Sequence, residues 1–173
     1  MKFNKRKLAL LMTGLMLVMS PVSVWADRED AKLEKPYVSL GADLSANDRA
    51  IVLKLLGVTE DDLKNYTVTT ITNADEHKYL DSYLDSSVIG TRALSSVLIE
   101  KKDKGNGIKV TTSNITYCTT GMYQNALATA GVTDADVRVA GPFNISGTAA
   151  LVGAMEAYSN MTGAVSYTHL RAH

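Results

Sequence analysis

The chain has 173 residues, 18 acidic and 18 basic, and is formally neutral, with one cysteine and 6% aromatic residues. All 18 acidic residues fall between positions 27 and 163 but only 13 of the basic ones do, so that segment carries a net charge of −5. An acidic segment with few aromatic platforms argues against nucleic acid as a partner, and a lone Cys118 excludes an internal disulfide.

Lys2, Lys5, Arg6 and Lys7 precede an apolar run from Leu8 to Met19, and Val24-Trp25-Ala26 follows. This order predicts a secretory signal over 1–26, cleaved after Ala26, and hence a secreted or cell-envelope protein. The apolar run is short for a membrane span, which takes about 20 residues, so no stable span is expected after cleavage. Residues 27–36 (DREDAKLEKP) read as a flexible charged lead. At the other end, VSYTHLRAH resembles the translated transposase end of a sequencing library, so 164–173 is expected to be an artefact. One α/β domain, incomplete at its C-terminal side, is then expected over 37–163. His169 and His173 lose any claim to a metal, and His77 is the remaining imidazole.

Tyr37–Leu40 reads as a strand and Gly41-Ala42-Asp43 as a turn. Ser45 with Asp48 caps a helix over ANDRAIVLKLLG, whose apolar stripe is Ile51, Val52, Leu55 and Leu56. Gly57 suits a left-handed stop, with Val58 folding back on Leu53. Thr59 with Asp62 starts a single helical turn that leads into the strand NYTVTTIT, and NADEHKYLDSY forms a second helix. In the middle, ALSSVLIEKK and GIKVTTSNITY flank DKGNG, predicting a β-hairpin with a loop long enough to absorb a substitution at Gly105.

The six residues GVTEDD at 57–62 recur as GVTDAD at 131–136, 74 positions later. Around the second copy, Thr119 or Thr120 caps a helix, Tyr123–Ala130 makes it, Gly131 stops it, Val132 meets Leu127, and Thr133 with Asp136 starts a turn before the next strand. The helix TAALVGAMEAYSNM ends the series, apolar around much of its circumference, seated deep against the sheet or against a missing C-terminal segment. The expected fold is α/β of the α+β type: a mixed sheet with flanking helices, built as two related strand-helix-turn-strand-helix units around a central β-hairpin.

The chain carries no HExxH, CxxC, GxSxG or GxxxxGK pattern, and no cofactor or metal set is expected. Cys118 precedes a helix N-terminus, which can lower a thiol pKa, but it reads first as a small core residue. His77, beside Asp75 and Glu76, reads first as part of a surface cluster. Candidate binding residues are Thr72, Asn73 and His77, Asn114 and Thr116, and Asn144, Ser146 and Thr148, all at or near strand-helix crossings. Such residues cap helices and form Asx turns. Where the crossings converge, they also present hydroxyls and amides to a sugar, peptide or small anion.

The segments VSLGADLS, ITNADEHKYL, ALSSVLI, YQNALATAGV and GPFNISGTAALVGAMEAY together resemble the YpuA-like family, exported proteins of unknown function found mainly in Gram-positive bacteria. The resemblance covers about residues 37–161, and the Tyr117-Cys118 pair departs from the family pattern. It implies a longer protein with a further, mainly helical segment, and brings no catalytic residues. The expected function is a non-enzymatic cell-envelope or extracellular domain that binds a cell-wall component, peptide or envelope protein. The alternative is a wall-acting hydrolase or transferase whose further catalytic residues lie in the missing part.

Overall fold

The computed structural model describes residues 35–162, with side chains through Ala157. The signal segment 1–26, the lead up to position 34 and the tail 164–173 lie outside the described residues. The strands are β1 (Tyr37–Gly41), β2 (Thr67–Ile71), β3 (Ser96–Lys101), β4 (Ile108–Ile115) and β5 (Ala135–Ile145). The helices are α1 (Ala46–Leu56), α2 (Asn73–Leu80), α3 (Ser86–Ile89), α4 (Thr120–Thr129) and α5 (Thr148–Thr162), with a 3-10 turn over Asp61–Asn65. One five-stranded sheet has the order β2-β1-β3-β5-β4. β1 and β2 are parallel, β4 and β5 are parallel, and β3 runs against both β1 and β5. The fold is therefore mixed α/β, with helices on both faces of a mixed sheet.

Burial follows from the strand pleat. Val38 and Leu40 of β1 point to one face, where Val52, Leu53 and Leu56 of α1 join Val58, Leu98 and Ala140 in a small core. Tyr37 points to the other face, into a larger core with Val97, Ile99, Val137, Val139 and residues of α4 and α5. A central strand buried on both faces has to read as nearly continuous apolar sequence, as YVSLG does. Within α1 the buried stripe is Val52, Leu53 and Leu56, while Ile51 and Leu55 are exposed. The expected stripe is thus shifted by about one position, because Leu53 is drawn inward to meet Val58.

The caps form as the residues require. Ser45 Oγ accepts from the N–H of Asp48, and Thr119 Oγ1 from that of Met122. Val58 N–H donates to Leu53 O and Gly57 N–H to Lys54 O; Val132 N–H donates to Leu127 O and Gly131 N–H to Ala128 O. Both helices therefore stop in the same double-bonded cap, and both glycines are left-handed, with φ of 76° and 90°.

Two expectations fail beyond the caps. After Gly57, Thr59 binds Asp62 and a 3-10 turn forms. After Gly131, Thr133 instead bonds to Asp134, and Asp136 already lies in β5, so no second helical turn exists. β3 and β4 also form no hairpin, because β5 lies between them. The connection 102–107 must cross two strand spacings, about 10 Å, which a two-residue turn cannot do. It is held on the start of β5: Lys102 N–H donates to Asp134 O, and the N–H groups of Gly105 and Gly107 donate to Asp134 Oδ1.

The crossings β1-α1-β2 and β4-α4-β5 step across the sheet in the same direction, yet α1 and α4 lie on opposite faces. They are therefore of opposite hand, and one departs from the right-handed rule for parallel crossovers. α5 takes the deep seat: Ala149, Ala150, Leu151, Val152, Ala154 and Ala157 are buried, and the helix packs on β1, β2, β3, α2 and α4. No apolar face over 149–157 is left to solvent.

Valine at position 57 or 131 is expected to destabilise the protein by at least the strain of a left-handed β-branched residue, about 1–2 kcal/mol, with asparagine milder. Gly105 has φ of 97° and donates to Asp134, so Gly105→Val belongs with these two. Denaturant melts of the three valine variants check this; an unchanged midpoint at 57 or 131 contradicts the cap assignment.

Candidate functional site

β1, β2, β4 and β5 run the same way, so their ends at Gly41, Ile71, Ile115 and Ile145 share one end of the sheet with the start of β3 at Ser96. This is where ligands settle in sheets of this kind. The polar crossings after β2, β4 and β5 all leave from that end, and those after β2 and β5 meet where Thr148 bonds to Glu76. Between the α3 segment and the start of α5 lies a cleft of about 300 Å³, with Glu76, Arg92, Ser95, Phe143, Ser146 and Thr148 in its lining.

Glu76 forms part of the floor and is 1% exposed. Thr148 Oγ1 donates to its Oε1 at 2.7 Å and Asn73 Nδ2 to its Oε2 at 3.0 Å, while Ser146 Oγ lies 3.1 Å from Thr148 Oγ1. Burial raises the Glu76 pKa, against the opposing pull of the two hydrogen bonds and the charge of His77. The expected surface cluster around His77 is thus corrected. Glu76 lies on the buried side of α2 with Leu80, four residues on, while Asp75 closes a capping box with Thr72.

The wall of the cleft is tied down at three places. Asp85 caps α3 through Ser87 N–H, Ala93 N–H donates to Asp43 Oδ2, and Gly90 O sits between them. That carbonyl accepts from Asn73 Nδ2 at 3.2 Å and faces His77 Nε2 at 3.2 Å, while His77 Nδ1 lies 2.7 Å from Asp81 Oδ1. Both ring nitrogens face acceptors, so only the imidazolium donates to both. The hydrogen bond with Asp81 accordingly raises the His77 pKa above its ordinary 6.5.

Of the sequence-derived candidates, Ser146 and Thr148 line the cleft, and Asn73 and His77 hold its wall from behind. Thr72 is occupied as the α2 cap. Asn114, at φ 59°, donates to Gly141 O where the β4–β5 register breaks, and Thr116 Oγ1 donates to Ile145 O. Asn144 is exposed and outside the lining. Cys118 is buried in the core, its N–H donating to Ser146 O, and burial pushes its thiol up to about 11. It stays protonated at neutral pH, whatever the nearby helix N-terminus contributes.

Sequence reasoning missed Glu76, Arg92, Ser95 and Phe143. The four-residue spacing of Glu76 to Leu80 on an apolar helix face was the available signal for the first. The others depend on how distant segments meet. Among the described residues no group of three His, Cys, Asp or Glu side chains could hold a metal ion, and no helix is long and apolar enough to cross a membrane.

Residues 40–167 match the model of a family described as protein of unknown function, DUF1002. The chain belongs to the DUF1002 family. Among curated proteins, the uncharacterized protein YpuA of Bacillus subtilis (strain 168) is 44% identical over 151 residues, which is 87% of this chain and 50% of the relative. This DUF1002 chain thus spans half the length of that relative, and the resemblance seen in its motifs holds. No solved structure matches.

The His77 geometry fixes the sign of a pH effect. A raised folded pKa contributes stability in full below the unfolded value near 6.5, and that stability is lost as pH rises through the folded value. His77→Gln is expected to flatten the stability-pH curve in this window. A wild-type slope retained in the variant contradicts the wall contact.

Proposed function

We propose that this domain is an exported, non-enzymatic binding domain of the cell envelope, and that the cleft at the start of α5 takes a polar cell-wall component or peptide. The observation that carries this reading is the composition of the cleft. Hydroxyls from Ser95, Ser146 and Thr148, one carboxylate, one guanidinium and the ring of Phe143 converge in about 300 Å³, at the small end of ligand sites. The thiol, Cys118, is outside the lining and held protonated. Export is supported by the charged, apolar and small residues of 1–26.

A second reading, a hydrolase or transferase acting on the wall, is favoured by one feature. Ser146, Thr148 and Glu76 form a hydroxyl-hydroxyl-carboxylate chain of the kind that moves protons. Its missing groups would come from chain beyond this segment.

We also read the two halves as copies of one ancestral unit. Support comes from the paired caps at Ser45 and Thr119 and the paired stops at Gly57 and Gly131, all at an offset of 74. Because the two crossings differ in hand, the reading applies to the local joints and not to the threading of each half.

Retention of the protein on purified wall fragments and on envelope extract tests the main reading. Ser146→Trp fills the cleft, so retention is expected to fall by about tenfold or more while the melting midpoint holds. Equal retention of the variant sinks the cleft as the binding site. Turnover of wall fragments by the wild type that disappears in Glu76→Gln favours the second reading.

A further inference from the structure

Among the described residues two charged side chains line the cleft, Glu76 and Arg92, and they are of opposite sign. Neither belongs to any of the ion pairs among the described residues, which join Arg49 to Glu60, His77 to Asp81, Lys102 to Asp136 and Arg138 to Glu100. Glu76 is the more telling of the two. A carboxylate that is 1% exposed needs a countercharge or a proton. Thr148 and Asn73 each give it one neutral hydrogen bond, which leaves acceptor capacity on both oxygens. Arg92 is the opposite case: exposed and in the lining, it brings up to five donors, none bonded to an acceptor among the described residues.

We infer that the cleft recognises a zwitterion, a short peptide whose α-ammonium docks on Glu76 at the floor and whose carboxylate docks on Arg92 at the rim. This inference rests on the reading of the cleft as a binding site and specifies its ligand. An ammonium supplies a direct ion-pair partner, which the Glu76 carboxylate does not have among the described residues, through charge-assisted hydrogen bonds. A guanidinium at the rim pairs with a carboxylate in a bidentate manner. The rest of the lining is neutral among the described residues, so a ligand with a single charge pairs with only one of these two groups. Val88, Ile89, Leu94 and Phe143 also line the cleft, which suits small aliphatic side chains on the ligand.

Alanylalanine is the probe. Titrated into the isotope-labelled protein, it is expected to shift the amides of Gly90, Ser95 and Ser146. N-acetylation removes the ammonium and C-terminal amidation removes the carboxylate, and each is expected to weaken binding by about tenfold or more. Glu76→Gln is expected to abolish the penalty of acetylation, and Arg92→Gln that of amidation. Since the derivatives act on the wild type, the test does not depend on either variant folding. Equal binding of parent, acetylated and amidated dipeptides overturns the inference, and so does a parent dipeptide that moves none of these amides. N-acetylglucosamine, a neutral polar probe, separates the two levels: if it shifts the amides and alanylalanine does not, the zwitterion fails and the cleft stands. Should neither probe shift them while wall fragments still bind Ser146→Trp, the cleft reading fails as well.

Discussion

The close approach of α5 to β1 is the constraint on which the rest of the structure depends. Position 153 has no side chain, and a Cβ there would lie 2.6 Å from the Cβ of Ser39, so the helix rests almost directly on the strand. Alanine at 149, 150, 154 and 157 keeps the same face thin. Helix depth then places everything at its N-terminus: Thr148 meets Glu76, Ala150 N–H reaches Ser95 Oγ, and Gly147 O receives the hydroxyl of the buried Tyr123. Ser39 contributes one cost, a buried hydroxyl without a hydrogen-bond partner among the described residues. A small side chain at that point matters more than satisfying it.

Two titratable groups with raised pKa values support the cleft that follows from this seat, Glu76 in its lining and His77 behind its wall, and their signs agree. Ionising Glu76 costs stability as pH rises out of the acid range, because burial disfavours the carboxylate. Deprotonating His77 costs stability as pH rises through its own raised value, because the imidazolium alone donates to both Asp81 and Gly90. Floor and wall therefore weaken in the same direction, through different physical causes. A cation bound at Glu76 opposes the first effect, which couples ligand and proton at the floor.

Local features were legible in the sequence because local rules decide them. Ser45, Thr72 and Thr119 accept from backbone groups three residues on, and Gly57 and Gly131 stop helices whichever way the chain continues. The hairpin was not legible, since the residues that displace it, Ala135–Lys101 and its neighbours in the β3–β5 ladder, are far apart in sequence. The two glycines and Asn106 of the loop do turn the chain, but around Asp134 and not back along β3. Asp136 fell into β5 for the same reason. At the site, Ser146 and Thr148 were found as capping types, whereas Arg92 and Phe143 reach the cleft only through tertiary packing. Glu76 was misread because its charge outweighed its place on the face of Leu80.

The seat of α5 is tested most directly by a double-mutant cycle between positions 153 and 39. Gly153→Ala gains helix propensity worth about 1 kcal/mol but drives a Cβ into Ser39, an overpacking that costs about 1–3 kcal/mol. Ser39→Gly removes the obstructing Cβ together with the unpartnered hydroxyl. Denaturant melts of the wild type, both single variants and the double variant are expected to give a favourable coupling energy, with the double variant more stable than Gly153→Ala alone. Additive effects, or a Gly153→Ala variant as stable as its propensity gain allows, would contradict the contact on which the placement of the cleft rests.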